Sequence, residues 1–143
     1  MKKARRIRIG LAFHCHHKVL VELCTDYDDR LDFIKRNKPA NEIPTRCRLF
    51  RLIPDSKLPE KIVRTVIAYR KARNAYVKAR IAYNKTITVP EKVCAAFCKT
   101  KDACIRAWAV CDDMIRKNRP FFKKLHKKEC GCKEWNGRRI VFE

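Results

Sequence analysis

Glycine is scarce in this chain, three residues in 143, and none sits in a glycine-rich loop of the kind that wraps a nucleotide's phosphates. Long apolar runs are missing too. No stretch reaches the roughly 20 apolar residues that span a bilayer, so no membrane association is expected. The opening Met-Lys-Lys-Ala-Arg-Arg imitates the charged start of a secretory signal, but the apolar run behind it is broken by Arg8 and gives way to histidines from His14. A third absence is local. Residues 61–88 contain no aspartate or glutamate, so lysines and arginines there have no acidic partner one turn away within that stretch. No catalytic motif is recognisable, and the expectation is a protein that is not an enzyme.

What the chain does contain is positive charge: 36 Lys plus Arg against 15 Asp plus Glu, a formal net charge of +21. That balance favours a polyanionic partner bound with counterion release, and nucleic acid, DNA or RNA, is the first candidate. The alternative is an adaptor or inhibitor whose basic surface docks an acidic protein or a ribonucleoprotein. Nine cysteines are an odd number, and they are spread along predicted helices rather than spaced as a small disulfide framework. A reducing, cytoplasmic setting follows as the expectation.

The strongest pattern lies in residues 68–85. There a seven-residue unit repeats, with Ala68, Ala75 and Ala82 in one column and Tyr69, Tyr76 and Tyr83 in the next. A strict period of seven marks a supercoiling helix. With Ala68 at heptad position d, Ala72 and Ala79 fall at a, which predicts a seam of small side chains flanked by tyrosines at e. Arg64, Lys71, Lys78 and Lys85 share column g, and Arg73 and Arg80 share column b. Tyrosines beside an alanine seam are read as packing against a partner helix rather than as a base-stacking platform.

Three β-branched residues follow Thr86, and Pro90 disfavours helical geometry at Val89, so the long helix should end near residues 86–90. The register nevertheless continues beyond, with Val89, Ala96, Ala103 and Val110 in the d column. Two arrangements fit, an antiparallel hairpin or one long helix kinked at Pro90. The hairpin is preferred because it buries the stripe of each helix, the alanine seam meeting Cys94, Phe97, Cys104, Ile105, Trp108 and Cys111. Cys94, Cys104 and Cys111 are read as small hydrophobes of that seam.

Toward the N-terminus, residues 7–13 and 18–24 are β-branched and apolar, two short strands or a strand leading into a helix. Thr25 or Asp26 can cap a short helix carrying Tyr27, Leu31 and Ile34 on one face and stopped by Asn37-Lys38-Pro39. Residues 41–53 fit a helical stripe and also partly alternate like a strand; helix is preferred. Past Asn118-Arg119-Pro120 comes a short basic helix over residues 121–128. A turn at Asn136-Gly137 and a strand over residues 139–142 follow, the strand a candidate to pair with the N-terminal one. The expected fold is mainly α: an antiparallel helical hairpin on a small mixed α/β base formed by both termini. Its segments would be 1–58, 59–118 and 119–143.

These features together resemble a group of short phage and environmental proteins. The residues that carry the resemblance are Phe-His-Cys-His-His at 13–17, the Ile34 to Pro39 stretch, the heptads from Ala68, and then His126, Cys130, Cys132, Trp135, Asn136-Gly137 and Ile140. It covers most of the chain and implies no established activity. The chain departs from the pattern between its terminal cysteines, where Gly131 stands alone in place of two residues.

Two constellations bear on chemistry. His126, Cys130 and Cys132 place three ligands on a helix end and the turn after it, which suits zinc's preference for nitrogen and sulfur. A fourth would come from His14, Cys15, His16 or His17, with His14 and His16 the named candidates for a structural site tying the chain ends. The same histidines with Asp26, Asp28 and Asp29 form the only arrangement that suggests a metal-dependent nuclease, although those carboxylates also suit a helix start. For phosphate contact, the expected residues are Arg64, Lys71, Arg73, Lys78, Arg80 and Lys85 along the arm, with Lys123, Lys124, Lys127 and Lys128 on the basic helix.

Overall fold

The structure is a computed structural model that describes residues 7–15 and 18–142. The fold is mainly α, with five helices and one small antiparallel sheet among the described residues. Two compact units make it up: residues 58–114 form one, and both ends of the chain, residues 1–57 and 115–143, form the other.

The first unit is the helical hairpin. Helix α3 spans Glu60–Asn84 and follows Pro59, whose missing amide hydrogen is harmless where no helical bond would form. It stops as the β-branched run begins. Helix α4, Glu91–Lys117, starts directly after Pro90, whose carbonyl accepts from the amides of Val93 and Cys94. The two run antiparallel, as three contacts show. The Cys111 thiol donates to the Thr65 carbonyl at 3.6 Å, and the Tyr76 and Tyr83 rings lie 5.8 and 4.8 Å from that of Phe97. Residue numbers fall on one helix as they rise on the other, so the kinked single rod is excluded.

The seam, however, is rotated from the expected one. Ala68, Ala75 and Ala82 are exposed, whereas Ile62, Val66 and Tyr69 are buried and Ala72, Tyr76, Ala79 and Tyr83 are half-buried. On α4 the inward face carries Phe97, Cys104, Cys111 and Met114, while Cys94, Ile105 and Trp108 point to solvent. The reason is area. An aromatic ring removes several times more apolar surface from water than an alanine methyl, so the helix turns until the tyrosine column faces its neighbour. Replacing Tyr76 by Ala should therefore destabilise the hairpin by about 1–3 kcal/mol, whereas Ala75→Gln should stay within about 0.5 kcal/mol. Equal losses in thermal unfolding would restore the alanine seam.

In the second unit, strand β1 (Gly10–Phe13) pairs antiparallel with β2 (Val21–Cys24), Gly10 opposite Cys24 and Phe13 opposite Val21. Its other edge takes β3 (Arg51–Leu52), Ala12 opposite Leu52. Strand β1 is central and buried along its whole length. Helix α1, Tyr27–Asn37, begins where Asp26 accepts hydrogen bonds from the amides of Asp28 and Asp29. Removing that cap by Asp26→Ala should cost about 1 kcal/mol, seen as a lower unfolding midpoint, while Thr25→Ala should not. The ambiguous stretch contains both elements: helix α2, Ile43–Leu49, with Pro44 in its first turn, then β3.

Beneath the sheet, Ala12, Cys15, Cys24, Ile34 and Phe50 form a cluster joined by Tyr27, Leu31 and Cys47. The Tyr27 ring stacks on Phe50 at 5.0 Å and its hydroxyl donates to the Phe50 carbonyl. Helix α5, Arg119–Glu129, carries Phe122, Leu125 and His126 on its buried face. Among the described residues, the chain end does not join the sheet. Both edges of β1 are already taken by β2 and β3, and residues after α5 fold on themselves through a single bridge, Trp135 to Ile140. They close a second cluster of Leu49, Cys130 and Ile140, with Cys132, Trp135 and Phe142 against it.

Candidate metal centre

The one group of three metal-ligating side chains among the described residues is His126, Cys130 and Cys132, whose ligand atoms all lie within 4.8 Å of one another. Helical periodicity accounts for the first two. Four residues apart, they occupy one face of the last turn of α5, where the Cys130 amide bonds the His126 carbonyl at 2.9 Å. Gly131 supplies the third by adopting a φ of 60°, which folds Cys132 back over the helix end. A Cβ at that position would meet nothing within 4 Å, so glycine is needed for its backbone conformation rather than for space. Cys132 Sγ then lies 3.0 Å from His126 Nε2.

Aromatic walls fix the imidazole. Phe13 of β1 meets it edge-on at 5.7 Å and Trp135 at 4.5 Å. Burial lowers the pKa of His126 from its ordinary value of 6.5, which keeps the ring in the neutral form that binds metals. Burial, with the Cys130 thiol and the Glu134 charge adding to it, pushes the Cys132 thiol up to about 12. A divalent cation between the sulfurs would reverse that balance, since its charge favours thiolates. A neutral imidazole and two convergent thiols can hold a metal ion.

The other predicted ligands that the structure describes lie elsewhere. His14, directly after β1, is not one of the group. Its Nε2 sits 3.3 Å from Glu22 Oε2 and 3.4 Å from Arg30 Nη2. Cys15 is in the core, where its sulfur accepts from Arg46 at 3.6 Å. His16 and His17 lie outside the described residues. Asp26 serves as the helix cap and Asp28 pairs with Arg8, so these carboxylates do what a helix start requires. The trio has neighbours that the spacing did not announce. Glu134 accepts from Arg48 of α2 through Oε1, while its Oε2 and the Trp135 Nε1 are buried with no hydrogen-bond partner among the described residues. The available signal was their place, two and three residues after Cys132.

The basic residues divide. Lys71, Lys78 and Lys85 are exposed along the outer face of α3, and Lys123, Lys124, Lys127 and Lys128 along that of α5. Arg64, also exposed, pairs with Glu60, one turn earlier and just outside the acid-free stretch. Arg80 lies over the Tyr76 ring at 5.7 Å. Arg73 is half-buried and its Nε has no hydrogen-bond partner among the described residues. Among the cysteines, Cys111 is buried but Cys94 and Cys98 are exposed.

Burial holds the Cys24 and Cys111 thiols up at about 11, above the ordinary value of 9.0. In the unfolded chain they ionise from about pH 9, in the folded chain only near 11, so their contribution is complete below pH 9 and is lost as pH rises through that window. Thermal unfolding of the metal-free protein should therefore move to lower temperature across it, and Cys111→Ala should reduce the slope. A melting temperature that stays flat would contradict it.

No helix among the described residues is long and apolar enough to cross a membrane. Compared with protein-family models, with curated proteins and with solved structures, the chain matches none.

Proposed function

We propose that this is a non-catalytic nucleic-acid-binding protein of the cell interior that tracks the phosphate backbone through its helical arm, with an α/β unit held together by structural zinc. One observation carries the reading: Lys71, Lys78 and Lys85 are exposed in a single column on a helix with no acidic residue between 61 and 88. Their spacing, about 10 Å per seven residues, presents a regular line of ammonium groups. Arg64 and Arg80 flank that line, and the α5 lysines provide a second basic face. Such charges gain little from each other and much from a polyanion that releases its counterions.

Zinc is the metal proposed because a neutral imidazole with two thiolates is a borderline-soft donor set suited to tetrahedral coordination. Fluorescence anisotropy with labelled DNA and RNA duplexes across a salt series tests the binding reading. Affinity should fall steeply and linearly on logarithmic axes, with little dependence on base sequence. Absence of binding at low salt would reject it and make an acidic protein partner the better account of the charge.

A further inference from the structure

We infer that the cleft α5 shares with the short 3₁₀ turn at Asp55–Lys57 binds one unstacked nucleotide of a single-stranded nucleic acid. The inference rests on the nucleic-acid reading above and deepens it, naming a single strand as a ligand beside the duplex. Helical spacing builds one wall. Phe121, Lys124, Leu125 and Lys128, at i, i+3, i+4 and i+7, share a face of α5, and Ser56 and Lys57 line the cleft with them. Its volume is about 400 Å³, within the roughly 300–1,000 Å³ of small-ligand sites. That holds a base with its phosphate but not a duplex.

The lining has the two parts that a nucleotide needs. One is apolar: Leu125 is buried, and the half-buried Phe121 ring is braced by the buried Phe122, the centroids 5.3 Å apart at 71°. An aromatic face takes any base by stacking. The other part is cationic. Lys57, Lys124 and Lys128 stand against a single carboxylate, Glu129, which Lys57 engages at 3.4 Å, so two ammonium groups remain in excess for a phosphate. The last carbonyls of α5 would oppose an anion, but Arg51 donates to those of Glu129 and Cys130 at 2.8 and 3.4 Å. On α3, by contrast, Tyr76 and Tyr83 are engaged with Phe97, and the exposed lysine column offers phosphate contacts alone. The cleft therefore distinguishes a strand whose bases are free from a duplex, whose bases stay stacked inside.

The test uses the full chain and fluorescence anisotropy with labelled oligouridylate, oligothymidylate and an abasic strand of equal length and charge. The parent should bind the base-bearing strands about 5- to 150-fold more tightly than the abasic one, and the ribose and deoxyribose arms tell RNA from DNA. In Phe121→Ala that gap should close, whereas Phe121→Tyr, which keeps an aromatic face, should retain it. Circular dichroism is the folding check. Should Phe121→Ala fail it, Phe121→Leu, which preserves the apolar volume without the aromatic face, takes its place. Changing Lys124 and Lys128 together to glutamine should flatten the single-strand slope of log affinity against log salt by about 1.4 units, at about 0.7 per contact. Equal affinity of the parent for base-bearing and abasic strands, or a gap that loss of the Phe121 ring leaves open, overturns the cleft assignment while backbone tracking survives. A parent that binds neither single strand nor duplex at low salt overturns both.

Discussion

Replacing Cys130 and Cys132 together by serine should abolish stoichiometric zinc uptake and unfold the α/β unit at far lower temperature, leaving the helical hairpin's circular dichroism largely in place. The expected size follows from what the centre joins. Its three ligands converge from the last turn of α5 and from the turn made by Gly131. The imidazole among them is wedged between Phe13 and Trp135. Structural zinc supplies roughly 10–16 kcal/mol in isolated finger peptides at neutral pH.

Here the unit also has its own cluster around Ile34 and Phe50, so only part of that free energy should appear as folding. Even about 3 kcal/mol would lower the melting temperature of a unit this size by roughly 12–24 °C. A strong chelator should produce the same loss in the parent protein. Metal binding requires thiolates, and burial already holds the Cys132 thiol up, so zinc should be released as the pH is lowered. Protein purified with zinc present throughout, yet metal-free and indifferent to chelator, would remove the centre from the account.

The second large effect concerns binding. If Lys71, Lys78 and Lys85 each meet a phosphate of duplex DNA, changing all three to glutamine should flatten the slope of log affinity against log salt by roughly two to three units, at about 0.9 per contact. The gap between parent and variant should then narrow about 40-fold as salt rises from about 50 to 200 mM, because the parent alone loses those contacts. Folding should be unaffected. The three side chains are exposed, and the buried face of α3 is made by Ile62, Val66 and Tyr69. Arg64→Gln alone should have a smaller effect, since its guanidinium already pairs with Glu60 and part of its charge is satisfied without an anion. An unchanged slope in the triple variant would move the site to another face, with the α5 lysines the next to test.

Punctuation by proline, β-branched residues and capping side chains could be read without coordinates, because each acts within a few residues of backbone. Hence the break between α3 and α4, the Asp26 cap and the start of α5 all lie close to where local rules put them. The heptad period likewise announced a helix that needs a partner, and His126, Cys130 and Cys132 were near enough in sequence for helix geometry and one glycine turn to unite them. Contacts between distant segments were another matter.

Which column of the heptad faces inward depended on the area that Tyr76 and Tyr83 could bury against α4, and a period of seven is the same for every column. Whether the last strand joined the sheet depended on β3 taking the edge of β1 first. His14 is held by Glu22 and Arg30 rather than by the trio, and the contact of Phe13 with His126 is a property of how α5 packs on the sheet. Arg48 and Glu134, 86 residues apart, meet for the same reason: local propensity acts over a few residues, whereas burial is a competition among all segments for the same limited interior.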